Sequence, residues 1–114
     1  MWIENGILVG IYEDVVIDLE AAKAVLKDRL ELINGQSYPC FVDGRKVKYW
    51  TNEARVFQAG ENNNVGMKAA ALYVKSHTLK IVVNFYLLIN KPNVPQYCFT
   101  SQQKAFKWLE QFKD

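Results

Sequence analysis

The sequence predicts an α/β fold: a mixed sheet of four or five strands with about four helices packed on it, in the order β-β-α-β-α-β-α-β-α. Three observations predict it. Asn5-Gly6 stands between two apolar runs, a strong hairpin signal, because a type I′ turn needs positive φ at both positions. Leu19, Ala22, Leu26, Leu30 and Ile33 recur at helical spacing. Beyond them, single strands alternate with helices, and parallel strands are joined by such crossovers.

Trp2-Ile3 and Ile7 to Tyr12 form the opening antiparallel pair, and Glu13-Asp14 makes a polar break before Val15-Val16-Ile17. Asp18 is the N-cap of the first helix, its carboxylate placed to accept the free amides of the first turn. Glu20, Lys27, Asp28 and Glu31 fall opposite the apolar stripe, and Asn34-Gly35 supplies the left-handed stop. Tyr38 to Val42 reads as a short buried strand that ends at Asp43-Gly44. Thr51 caps a short helix from about Asn52 to Ala59, which Gly60 ends, and Glu61 to Asn64 reads as an exposed turn.

Met67 to Val74 reads as a central strand whose alanines keep both faces small where helices come close. Leu79 to Ile89 is open to two readings: Ile81, Val82 and Val83 favour a strand, while length and lack of alternation favour a helix. Helix is chosen, capped by Ser76 or Thr78 and stopped before Pro92. Gln96 to Phe99 is the last strand. Thr100 with Gln103 makes a capping box, and Ala105, Trp108, Leu109 and Phe112 mark one face of the closing helix.

Composition narrows the function classes. A chain of 114 residues, half of them hydrophobic, is expected to form one domain, residues 1–114, around one core. Fourteen Lys and Arg against twelve Asp and Glu leave a net charge of +2, too little for a general attraction to nucleic acid. The longest apolar run, Ile81 to Ile89 broken by Asn84, is far short of the ~20 residues that span a bilayer. The start, Met-Trp-Ile-Glu-Asn-Gly, lacks the basic and apolar regions of a signal peptide, so a cytoplasmic setting is expected. Cys40 and Cys98 lie in apolar strand-like runs and read as small buried hydrophobes.

Catalytic and metal chemistry find little support. His77 is the single histidine, and no spacing ties it to Cys40 or Cys98 as a nucleophile and base. One His, two distant Cys and no clustered carboxylates make no metal-ligand set, and no Gly-rich loop cradles a phosphate. No catalytic residue, metal or cofactor is expected. Asp43 sits at a strand end, where open α/β sheets gather ligands, but an Asp-Gly turn accounts for it.

Two features remain. Arg45, Lys46 and Lys48 precede Thr51 and Asn52 at a helix N-terminus whose free amides favour an anion. The functional reading is a docking spot for a phosphate or an acidic protein surface; the bland one is a solvated loop with Tyr49 and Trp50 as core anchors. The second feature is the helix over Leu79 to Ile89, apolar nearly all round, which must bury both sides. Val83, Tyr86, Leu87 and Leu88 are therefore expected to form a homodimer surface or to line a pocket for an apolar small molecule.

Over essentially its whole length the chain resembles the SpoIIAA-like proteins, the STAS/SEC14-type domains. The resemblance rests on Ile-Glu-Asn-Gly-Ile-Leu at the start, Asp-Leu-Glu-Ala-Ala-Lys at the first helix, Asn84 to Pro95, and Phe99-Thr100 followed by Ala105 to Leu109. It implies a SpoIIAA-like fold and a non-enzymatic regulatory or protein-interaction module akin to anti-sigma factor antagonists. Those relatives are switched by phosphorylation of a serine that would map to Thr51-Asn52-Glu53, where no Ser is present, so the switch is not expected here. The SEC14 side of the likeness implies a lipid-like ligand as the alternative.

Overall fold

Asn5 and Gly6 both take positive φ, 51° and 77°, and turn β1 (Trp2–Glu4) back on β2 (Ile7–Ile11) as the expected hairpin. The structure is a computed structural model that describes residues 1–13 and 15–114; Asp14, half of the polar break expected after β2, lies outside the described residues. The further strands are β3 (Val16–Ile17), β4 (Tyr38–Asp43), β5 (Tyr49–Trp50), β6 (Met67–Tyr73) and β7 (Gln96–Phe99). The helices are α1 (Leu19–Ile33), α2 (Asn52–Ala59), α3 (His77–Asn90) and α4 (Gln102–Glu110).

The main sheet has the order β1-β2-β4-β6-β7. Only β1 runs antiparallel; β2, β4, β6 and β7 are parallel neighbours, as the helical crossovers require. Each crossover steps the same way across the sheet, so right-handedness puts α1 and α3 on one face, and α4 returns on the other. Val16 and Ile17 pair with Tyr49 and Trp50 in a separate two-stranded parallel ribbon, which the expected element order lacked. Two-residue strands carry too little pattern to be read as strands.

Alternation sorts the side chains. Ile7, Val9, Phe41, Ala69 and Ala71 point to the α4 face and pack under Ala105 and Leu109. The alanines of β6 let α4 lie close, and Phe106 stacks on Phe41 with ring centroids 4.3 Å apart. Leu109 is fully buried, and truncating such a side chain costs about 2–5 kcal/mol. On the opposite face Leu8 and Cys40 meet Ile33 of α1. A third cluster of Ile17, Ala22, Val47 and Ala54 joins α1 and α2 to the small ribbon.

Several local expectations need correction. The N-cap of α4 is Ser101, whose hydroxyl accepts from the Lys104 N–H at 3.3 Å, and the Thr100–Gln103 box does not form. Of the two caps offered for α3, Ser76 and Thr78, it is Ser76 that forms, its hydroxyl accepting from the Leu79 N–H. The inward stripe of α1 is rotated: Ala22, Arg29 and Ile33 are buried, while Leu30 is exposed. The turn expected over residues 61–64 is a 3-10 helix, Glu61–Asn64, with Asn63 and Asn64 half-buried; the exposure expected of Glu61 and Asn62 lies outside the described side chains. Gly66, at φ +82°, is forced twice over, because a Cβ there would run into the Ile33 side chain.

Candidate functional site

The first candidate is the loop between β4 and α2, at the carboxyl end of the parallel strands. Its geometry begins with Asp43, which is buried. One carboxylate oxygen accepts from the Arg45 backbone N–H at 3.1 Å, the turn contact expected of an Asp-Gly corner. The other accepts from Arg45 Nη2 at 2.7 Å, and Arg45 Nε adds a third donor. The guanidinium lies 4.7 Å from the Tyr73 ring centre. Hydrogen bonding and charge from Arg45 hold the Asp43 carboxyl below its ordinary value, against the burial that would raise it.

The other predicted residues turn to separate tasks. Lys46 pairs with Glu13 at 2.5 Å, both ends well exposed, a contact of small energetic weight. Val47 is buried in the core. Lys48 is exposed, and its backbone N–H ties the loop to the Val15 carbonyl at 2.8 Å. The Thr51 hydroxyl accepts from the Ala54 N–H at 3.1 Å as the N-cap of α2, and Asn52 is exposed as the first residue of that helix. Arg45 and Lys46 are thus already matched by carboxylates, and the three cations do not converge.

The second candidate is α3. Its polar residues face the wrong way for an ordinary surface helix. Lys80 and Asn84, one turn apart, lie on the inner arc with Leu79, Val83 and Leu87, all half-buried. The Asn84 side chain hydrogen-bonds both backbone groups of Cys98 on β7, and Lys80 lies near enough to the Cys98 thiol to influence it. The outer arc, about 160° wide at 100° per residue, carries Ile81, Val82, Phe85, Tyr86, Leu88 and Ile89. All six are exposed, from 52% for Tyr86 to 70% for Leu88. Of the four predicted residues, Tyr86 and Leu88 are on this outer arc and Val83 and Leu87 are not. Within one chain the helix covers only its inner side, so the apolar outer side still wants a cover, a second copy or a ligand, as the sequence reading expected.

Ile81, Val82, Phe85 and Ile89 were missing from the predicted set. The signal that finds them is the i, i+4 spacing of Lys80 and Asn84, which marks one arc, together with the fact that the opposite arc is apolar from Ile81 to Ile89. Beside the C-terminal half of α3, Leu87, Leu88, Pro92, Val94, Pro95 and Tyr97 line an open groove of about 290 Å³.

Other chemistry is sparse. Cys40 and Cys98 are buried and unpaired, and burial pushes their thiols up to about 12 and about 11. His77 is exposed at the start of α3. Among the described residues no group of three His, Cys, Asp or Glu is placed to hold a metal, and no helix is long and apolar enough to cross a membrane. Sequence reading missed Arg29, which is buried and donates to the Asn63 carbonyl; among the described residues it has no carboxylate partner and its Nε has no acceptor.

A family model described as "Domain of unknown function (DUF7793)" matches residues 1–113. No curated protein matches the chain. Among solved structures, the chain is similar to an uncharacterized protein from the DUF3478 family with a SpoIIAA-like fold from Shewanella loihica PV-4. The two are 14% identical with a TM-score of 0.60, over 90% of this chain and 80% of that one. The likeness establishes a SpoIIAA-like fold, as the sequence resemblance implied.

Proposed function

Because the chain belongs to the DUF7793 family, a domain of unknown function, over residues 1–113, and carries a SpoIIAA-like fold, we propose that it is a non-enzymatic docking module. Its recognition surface is the outer arc of α3. The observation that carries this reading is the run of six exposed apolar side chains on one arc, from Ile81 to Ile89, with no polar residue except the Tyr86 hydroxyl among them. Contiguous apolar patches of this size are uncommon on monomers and mark interaction sites.

The basic loop of Arg45, Lys46 and Lys48 is the lesser surface in this reading, since Asp43 and Glu13 already neutralise two of its three charges. Thr51 serves as a helix cap, which supports a module without a phosphate switch at Thr51 or Asn52. Thiols that burial keeps protonated, and a His77 exposed at the start of α3, support a module without catalysis by those groups. A cytoplasmic setting goes with the reading, because two unpaired cysteines stay reduced there.

The test is a photo-crosslinking amino acid placed at Phe85 in the source cell, with Glu20 on the outer side of α1 as the control position. Protein adducts concentrated at position 85 are expected. Equal or absent adducts at the two positions would remove the docking reading.

The groove beside Leu87 and Leu88 favours a second reading, a binder of a small apolar ligand. At about 290 Å³ it falls just short of ligand-pocket volumes of roughly 300–1,000 Å³. Native mass spectrometry of the purified protein checks it: a co-purified lipid-like mass supports it, and a bare protein mass argues against it.

A further inference from the structure

The outer arc of α3 carries one inference further, resting on the docking reading above: what covers it. We infer that it is covered by the same arc of a second copy of this chain, packed across a two-fold axis.

Area is the first argument. The six exposed side chains present on the order of 700 Å² of mostly apolar surface, above the roughly 300–600 Å² of the largest patch on a typical monomer. Two copies that covered this surface completely would bury at most about 1,400 Å² together, which reaches the roughly 1,200–2,000 Å² of stable interfaces. The patch also has the anatomy of a protein interface. Phe85 stands near its centre, no charge interrupts it, and the exposed Lys75 and Lys91 lie just beyond its two ends, where water remains.

Charge placement is the second argument, and it separates a second copy from a membrane. A helix that lies in a lipid interface carries Lys or Arg along its polar flank, where they reach headgroups. The one Lys within α3 is Lys80, and it faces inward toward Cys98. Along about 21 Å of helix, α3 itself carries no Lys or Arg on its outer arc. A face that is neutral across its centre meets its own copy without repulsion, which a two-fold contact between identical patches demands.

Edge geometry is the third. The outer side of β7 could in principle extend the sheet into a second copy. Asn84 already occupies both backbone groups of Cys98 there, so strand addition is obstructed while the helix face stays open.

Sedimentation of the purified full chain tests the inference. The expected species at tens of micromolar has about 26 kDa, twice the 13.1 kDa chain. Phe85→Glu with Leu88→Glu should raise the dimer dissociation constant at least ~100-fold, since each buried unpaired charge opposes association. Circular dichroism should be unchanged. Should that variant fail to fold, Phe85→Cys gives the second reading: it should form an intermolecular disulfide on mild oxidation, and Asp28→Cys on α1 should not. A wild-type chain that stays at 13.1 kDa at all concentrations overturns the inference. So does a dimer that the folded double variant leaves intact, or a monomer that floats with phosphatidylglycerol vesicles. If position 85 crosslinks in cells only to other proteins, the second copy is wrong and the docking reading survives; if it crosslinks to nothing, both fall.

Discussion

The Asn84 side chain stands in for a neighbouring strand at Cys98. Its oxygen accepts from the Cys98 N–H at 2.7 Å, and its amide nitrogen donates to the Cys98 carbonyl at 3.0 Å. β7 is an edge strand, and Cys98 turns both backbone groups away from β6. One amide therefore closes the exposed edge and fixes the rotation of α3, which is why its apolar arc looks outward.

Asn84→Ala leaves those two backbone groups to water and should lower stability by about 1–3 kcal/mol. Urea unfolding measures it. Asn84→Asp keeps the acceptor for the Cys98 N–H but loses the donor, so its midpoint should lie below wild type even if the N–H contact holds. Asn84→Ala should also aggregate more readily, because the edge is reopened. A variant as stable and soluble as wild type would contradict the role given to this amide.

Asp43 makes stability depend on acid. Its carboxyl is held low mainly by the Arg45 side chain, so the folded state favours the ionised form. That contribution is fully present above the unfolded carboxyl value of about 4 and is lost as pH falls through the lower folded value. Asp43→Asn removes the titrating group. The wild type should therefore lose more of its urea midpoint than Asp43→Asn between about pH 5 and pH 2. Parallel acid limbs for the two proteins would show that the pair with Arg45 does not hold in solution.

Much of this was legible in residue pattern. The Asn5-Gly6 hairpin, the Asp18 and Thr51 caps, and the helix across Asn84 follow from local chemistry that the tertiary structure does not override. What was hidden depended on partners distant in the chain. The spacing of α1 put Leu30 inward, yet Arg29 is buried and Leu30 exposed. The 3-10 turn supplies a carbonyl at Asn63 that only the fold brings there. The lone Asn84 looked like an interruption of an apolar run because its partner, the edge of β7, lies fourteen residues on. The basic loop looked like an anion site because the carboxylate that quenches Lys46 comes from Glu13, thirty-three residues earlier.

Arg29 is a buried guanidinium without a carboxylate among the described residues, and burial lowers its pKa. Taking a charged group out of water costs several kcal/mol, and here no carboxylate among the described residues repays it. Arg29→Met should therefore unfold at an equal or higher urea concentration than wild type. Arg29→Ala, which removes the bulk as well, should unfold earlier. A large loss in Arg29→Met would mean that the contact to the Asn63 carbonyl outweighs the desolvation of the charge.

The cysteines give a test that bears on both stability and catalysis. Desolvation is the main reason that both thiols are pushed up, Cys40 to about 12 and Cys98 to about 11. A nucleophilic cysteine needs the opposite, a thiolate near neutral pH. At about pH 8 the native chain should show no thiol reactive to Ellman's reagent, and both should react once it is unfolded. The folded values lie above the unfolded value of about 8.5, so the folded state favours the neutral thiols. That contribution is complete below about pH 8.5 and is lost as pH rises toward the folded values, where the unfolded chain ionises first. Cys40→Ala should accordingly lose less stability than wild type between about pH 8.5 and pH 11. A rapidly titrating thiol in the native chain at neutral pH would reverse both conclusions, because it would place an accessible thiolate where the structure buries a neutral thiol.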